Sequence, residues 1–585
     1  MAEPQIKGNL EQSILGAISK DEPWALVEQF SKTVRLSATP EERKAIDYLV
    51  GRLEALGIPY TLYEPELYVS LPISARLEVS DGQEVRAKTP AYSAAGTVEA
   101  EVVYVPGSLA GDVSQFFFST AQDTAGDVQG KIVLTEGMSL PKVIRDYEQR
   151  GAVGQIYINP DPAVIHELMA TTIWGIPTLE NLESKPHTPI VNVNRMGGEQ
   201  LKQLLAKGPV RARITTELDE RWRKAAIPVA EIRGSEEPEK FILLHGHLDS
   251  WHYGVTDNAT GNAGKLELAR VFNQNRDRMR RSLRIAWWSG HSHGRYAGST
   301  WYADNFGLDI EKNCVAQVNM DSPGARWATA YDEMMWTAEV DSLCRDAIVD
   351  TTGIAPKRLR PIRAGDYSFN NIGVTSFYML SSNIPADVKK EMGMYTVGGS
   401  GGNSRAWHSE GDVLEAAEPN ILVRDIKVYA ATILRVLNAD VYPFDFVKTV
   451  DESREIVEKY QNDARGRFDL GPVLEELVGL REDLAAFNTR AARAVASGNR
   501  AEQRQVNEAL LRLGRILIPT GYAKREIFEH DPAYDIPPFA EIAPAADLPK
   551  YDGVAEQRFL LNQLVRGRNK VLLRLQQARE VARAS

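Results

Sequence analysis

Cysteine is almost missing from this chain. Two residues among 585, Cys314 and Cys344, cannot make a disulfide framework, so an apolar core must hold the fold. Long apolar runs are missing too, and none approaches the roughly 20 residues of a membrane-crossing helix. The opening stretch, MAEPQIKGNLEQSILGAISKDEPW, has no basic start leading into an apolar core, so no signal peptide is expected. Positive charge is in deficit: 68 Lys and Arg face 79 Asp and Glu, a net charge of -11, whereas nucleic-acid binders present a basic face. Neither an internal repeat nor a low-complexity tract is present. These absences predict a cytoplasmic globular protein with no nucleic-acid or membrane partner. Its 43% hydrophobic and 25% charged residues are the ordinary mix of such a protein, and the length allows about three or four domains.

Histidine is scarce but clustered. Of 9 in the chain, three stand at 245, 247 and 252 and two more at 291 and 293. The first group lies in FILLHGHLDSWHYGVTDNATG, residues 241–261. Phe241 to Leu244 is an apolar run of the buried parallel-strand type. A polar loop follows, then a helical pattern over Asn262 to Asn273. In open α/β sheets ligands sit at the carboxyl ends of strands, and His with carboxylate at such an edge are metal-ligand types.

The remaining texture divides the chain into four stretches. Residues 1–72 read as helix, helix and strand, with a helix over Glu41 to Leu56 and a strand over Ile58 to Leu62. Residues 73–225 are short β-rich runs, with helices at Val143 to Gly151 and Gly197 to Ala206. His166 and His187 there are isolated and read as surface or capping residues. Residues 226–445 alternate strand and helix, with apolar runs at 241–244, 283–288, 315–320 and 374–380 and a helix beginning near Leu414. Residues 446–585 are amphipathic helices, a plausible assembly surface. The fold class expected is a doubly wound α/β sheet with a β-rich insertion and a helical C-terminal domain.

Polar residues follow three of the strands directly. His247 and Asp257 close the first, and Asp249 is placed to accept a hydrogen bond from the His247 imidazole. Leu283 to Trp288 leads into Ser289-Gly290-His291-Ser292-His293-Gly294. Val315 to Met320 ends at Asp321, which is either a ligand or an ordinary turn residue. Further on, the glycine-rich 398–403 precedes Trp407-His408. This order resembles the co-catalytic zinc peptidases that include bacterial leucyl aminopeptidases and glutamate carboxypeptidase II, with the transferrin receptor as a non-peptidase relative. The likeness rests on His-x-Asp-Ser with an Asp ten positions after the His, on Gly298-Ser299, on Asn319-Met320-Asp321 and on His408. Gly130-Lys131-Ile132-Val133 and Gly151-Ala152-Val153-Gly154 resemble the protease-associated insertion, and Tyr442-Pro443-Phe444-Asp445 the junction into a helical dimerisation domain.

The resemblance implies two divalent metal ions, zinc first, with manganese or iron as alternatives. Asp257 would bridge them, His247 and Asp321 would complete one and His408 the other. It also implies hydrolysis of an amide or peptide bond by a metal-bridging hydroxide, and a homodimer through the helical domain. The family carries Glu-Glu in the second loop, the first as base and the second as ligand. Counting back from Gly298-Ser299 places Ser292 and His293 there. His293 is then the expected fifth ligand, and Ser292 cannot serve as the base. His291 or His252 would accept the proton. Two alternatives stay open: a single-metal acyltransferase or cyclase of this fold, and an inactive binding protein like the transferrin receptor. For the substrate, Arg363 either grips a carboxylate or is a surface residue. Trp251, Tyr253, Tyr395 and Trp407 either line an aromatic pocket or belong to the core.

Overall fold

The computed structural model describes residues 5–80, 82–107, 121 and 127–584. Among them, a six-stranded sheet has the order Tyr60–Tyr63, Ile227–Ile232, Arg281–Trp288, Glu237–His247, Cys314–Asn319 and Ser376–Phe377. Glu237–His247 lies centrally, parallel to both its neighbours. Its apolar stretch, Phe241 to Leu244, is fully buried, as a strand covered on both faces requires. Parallel pairing needs a crossover, and the helices Thr260–Gln274 and Ala297–Asn313 supply the two that matter here. Three carboxyl ends therefore open on one edge. The register sets His247 level with Trp288 and His245 level with Asn319, so the residues after 288 and 319 emerge beside His247.

The second sheet has eight strands and contains the long antiparallel pair Glu66–Val79 and Arg211–Lys224. The helices Pro141–Gln149 and Arg195–Leu205 accompany it. The C-terminal part carries the helices Phe446–Asp463, Gly471–Ser497, Arg500–Tyr522 and Glu556–Ala584. One apolar core runs from Leu10 to Ala582 but takes nothing from residues 63–225, the main core of the second sheet is built from residues 75–214, and smaller apolar clusters join the two parts. Among the described residues, no helix is long and apolar enough to cross a membrane.

Several expectations change. The opening segment holds three helices before its first strand: Gln5–Ala17, Asp21–Phe30 and Pro40–Ala55. The run 374–380 contributes only the two-residue strand Ser376–Phe377, because the chain turns away after Phe377 with Tyr378 at a φ of 58°. Near Leu414 there is a single 3-10 turn, and the helix starts at Pro419.

Candidate metal centre

Four buried side chains converge at the strand edge. His247 Nε2 lies 2.9 Å from Asp257 Oδ1 and 3.6 Å from Asp321 Oδ1. His408 Nε2 lies 3.1 Å from the other Asp257 oxygen. The far nitrogen of each ring is occupied. His247 Nδ1 faces the Asp249 carbonyl at 2.8 Å, and His408 Nδ1 faces the Glu167 carbonyl at 2.7 Å. A carbonyl only accepts, so each Nδ1 carries the proton, and both Nε2 lone pairs point at a carboxylate. Lone pairs facing one another across about 3 Å need a cation between them, either a proton or a metal ion.

The electrostatics agree. Burial alone would lower the His247 pKa, but Asp249, Asp257 and Asp321 hold it well above the ordinary value. Burial would raise Asp257, yet His247 and His408 hold it far below the carboxylate range. With a metal ion in place of that proton, neutral imidazole nitrogens and ionised carboxylates would make a donor set that suits zinc or a similar divalent ion.

The loop after Trp288 brings a fifth group. His291 stacks on His247 with ring centroids 3.9 Å apart and planes 14° apart. Its Nδ1 lies 2.7 Å from Asp366 Oδ2, which in turn is tied through Oδ1 to Ser299 Oγ. Ligand atoms of His247, His291 and Asp321 all fall within 4.8 Å of one another. The backbone here is strained: Arg295, Tyr296, Ser322, Asp366 and His408 all have φ between 48° and 73°. Such conformations survive where surrounding contacts over-determine them, commonly at functional sites. Gly246 shows how closely the strands pack, since a Cβ there would meet the Met320 carbonyl oxygen at 2.5 Å.

The sequence put His293 among the ligands, but the structure turns it away. Asp249 accepts hydrogen bonds from the amides of His291 and Ser292, fixing the loop with His291 toward the strand ends. His293 instead faces Ser37, with Nδ1 3.0 Å from its Oγ, and packs on Trp251. Ser292 is buried and lines no part of the cleft. His252 lies outside it as well, 2.8 Å from Glu167 and 3.1 Å from Lys88. The expected bond from His247 to the Asp249 carboxylate is made to its carbonyl, with the carboxylate 3.6 Å away.

A cleft opens from the centre, lined by His291, Asp321, His408, Trp407, Arg295 and Arg363. Arg363 is buried and not a surface residue. Trp407 stacks on His408 at 3.7 Å. Trp251 and Tyr395 belong to packing and not to the cleft wall, and Tyr253 is exposed. The sequence reading missed His166, which it placed at the surface. The ring is fully buried, with Nδ1 2.5 Å from the Trp407 carbonyl and Nε2 2.6 Å from Tyr395 Oη. Arg295 was missed too. Neither a lone loop histidine nor a lone loop arginine has a periodic signal that would reveal it.

A parallel-centred α/β sheet with His and Asp converging at its carboxyl edge defines a class, the zinc-aminopeptidase fold. Residues 229–433 match the profile of peptidase family M28, a span that holds every member of the converging group. The chain is 32% identical over 120 residues to a probable glutamate carboxypeptidase of Zea mays, covering 20% of this chain and 17% of that protein. It is 22% identical over 378 residues to a probable glutamate carboxypeptidase of Arabidopsis thaliana, covering 53% and 52%. The alignments thus span about half or less of these curated relatives. The structure of a zinc aminopeptidase from Bacillus subtilis superposes with a TM-score of 0.52 at 18% identity, over 72% of this chain and 96% of that one. The likeness to the zinc peptidases therefore holds for the fold and for the sequence of the metal-centre span.

Proposed function

We propose that this chain hydrolyses peptide or amide bonds with a divalent metal ion, zinc first, held by His247, Asp257 and Asp321. The observation that carries this reading is the pair of imidazole lone pairs aimed at the two oxygens of Asp257. A metal there supplies Lewis acidity and a water nucleophile near neutral pH. The rest is done by the chain. Asp249 and Glu167 carbonyls hold the two ring tautomers. Asp366 holds the Nδ1 proton of His291, so His291 Nε2 is free to accept a proton at the mouth of the cleft. His291 then does the work of the absent glutamate base. Trp407 and Tyr296 wall the cleft and limit water.

A second ion between Asp257 and His408 is part of this proposal, as is a dimer through the C-terminal helices. The single-metal alternative is favoured by one observation: His247, His291 and Asp321 make a compact three-ligand set, the count that catalytic zinc uses with one position open. The decisive experiment is elemental analysis together with turnover of a panel of aminoacyl and N-acyl peptides. Two ions per chain with hydrolysis supports the paired centre, one ion with hydrolysis the compact set, and no ion after zinc loading removes the proposal.

A further inference from the structure

Several buried and half-buried arginines here sit against a carboxylate. Arg280 and Arg281 pair with Glu237, and Arg358 and Arg360 with Glu452. Arg35 and Arg515 have none, but all three guanidinium nitrogens of each donate to main-chain carbonyls. Arg295 and Arg363 follow neither pattern. They are 7% and 5% exposed and, among the described residues, neither has a carboxylate oxygen within 4.0 Å. Arg295 gives only Nη2, to the Ala533 carbonyl, while its buried Nε has no partner. Arg363 gives Nη2 and Nε to the Asp531 and Pro532 carbonyls and makes no such bond through Nη1.

Both line the cleft beside His291, Asp321 and His408. Both are also held in place, Arg363 over the Trp174 ring at 3.9 Å and Arg295 over Tyr296 at 5.1 Å. A guanidinium so fixed loses little freedom when it grips an anion, and its fork matches a carboxylate. The neighbouring acid, Asp535, has its pKa pushed up to about 7 by burial, so it opposes an anion only weakly below neutrality. Arg363 also borders an adjoining chamber of about 250 Å³, room for a side chain beyond the charge.

We infer that Arg295 and Arg363 form a carboxylate subsite, and that the substrate is an amide or peptide with a carboxylate close to the bond that is cut. The second half of this rests on the hydrolytic reading. The carboxylate is either the α-carboxylate of a terminal residue or an acidic side chain, and both offer the same chemistry.

Calorimetry on the zinc-loaded and metal-free protein tests it with three probes: N-acetyl-L-alanine, N-acetyl-L-alaninamide and N-acetyl-L-glutamic acid α-amide. At least one acid should bind tenfold or more tighter than the neutral amide in both forms of the protein, and the tighter acid names the source. Arg295→Gln and Arg363→Gln should each erase most of that contrast while zinc stoichiometry stays unchanged. Arg363→Lys, which keeps the charge and loses the fork, should fall between. Equal binding of acid and amide, a contrast that vanishes without zinc, or one that survives both glutamine variants overturns the subsite. If the acids bind as expected but no peptide is cleaved, the hydrolytic reading fails and the subsite stands.

Discussion

Glu167 and His408 are joined twice. The Glu167 amide donates to the His408 carbonyl at 2.9 Å, and the Glu167 carbonyl accepts from His408 Nδ1 at 2.7 Å. Glu167 lies in the second-sheet part of the chain and His408 at the edge of the first sheet. The β-rich part thereby orients a ring at the metal centre. Its neighbour His166 locks the same junction through Trp407 and Tyr395. His166→Ala should weaken metal binding tenfold to a hundredfold, the usual cost of losing a partner that orients a ligand. Competition with a fluorescent chelator reads this directly, and an unchanged affinity would show that the junction forms without His166.

His291 stands at the centre either as proton acceptor or as ligand. His291→Gln separates the two. As an acceptor, its loss leaves metal content intact and lowers turnover by about 10² to 10⁴. As a ligand, its loss empties or weakens the site. Asp366→Asn should follow the same branch more mildly, since it acts through His291. Full occupancy together with full turnover in His291→Gln would sink both roles.

Asp249 holds the amides of His291 and Ser292 and takes a hydrogen bond from Ser37. Asp249→Ala should therefore weaken metal binding about tenfold or more without abolishing it, by loosening the loop that carries His291. Thermal stability should fall in the same variant, because buried amides lose their acceptor. Unchanged metal affinity would remove this positioning role.

Asp535 gives a pH dependence with a definite sign. Burial raises its pKa from the ordinary 3.8 to about 7, so the folded state holds the proton more tightly than the unfolded chain. Its contribution to stability is full below about pH 4 and is lost as pH rises through about 7. At about 1.4 kcal/mol per unit, the change amounts to a few kcal/mol over that window. Asp535→Asn should flatten this part of the melting-temperature profile, and parallel profiles for the two proteins would contradict the assignment.

The sheet was legible because Phe241 to Leu244, Leu283 to Trp288 and Val315 to Met320 are apolar runs of strand length, of the kind buried strands use. His247 and Asp257 could be marked because they stand at the end of a strand and in the loop after it, whereas Asp321 and His408 were marked by the resemblance to the zinc peptidases. The loop between Trp288 and Gly298 could not be read by counting. Its path depends on Asp249 binding two of its amides, a tertiary fact. Residues 374–380 looked like a strand because apolar side chains there are buried, yet only two of them pair. His166 carried no signal at all, since its partners Trp407 and Tyr395 lie more than two hundred residues away.

The two main apolar cores bear on how the molecule comes apart. The core from Leu10 to Ala582 joins the first sheet to the C-terminal helices, so truncating those helices would expose the sheet and not release a free-standing unit. The core of residues 75–214 has no share in it. Heating should give two calorimetric transitions, one for each cooperative unit, and a single transition for the whole chain would refute that division. Trp407 and Trp251, packed on Leu168 and Met169, lie on the contact between the units. Chain opening along that contact would uncouple His408 from Glu167, so the hold on a metal there would depend on the docking of the two units as well as on the stability of each.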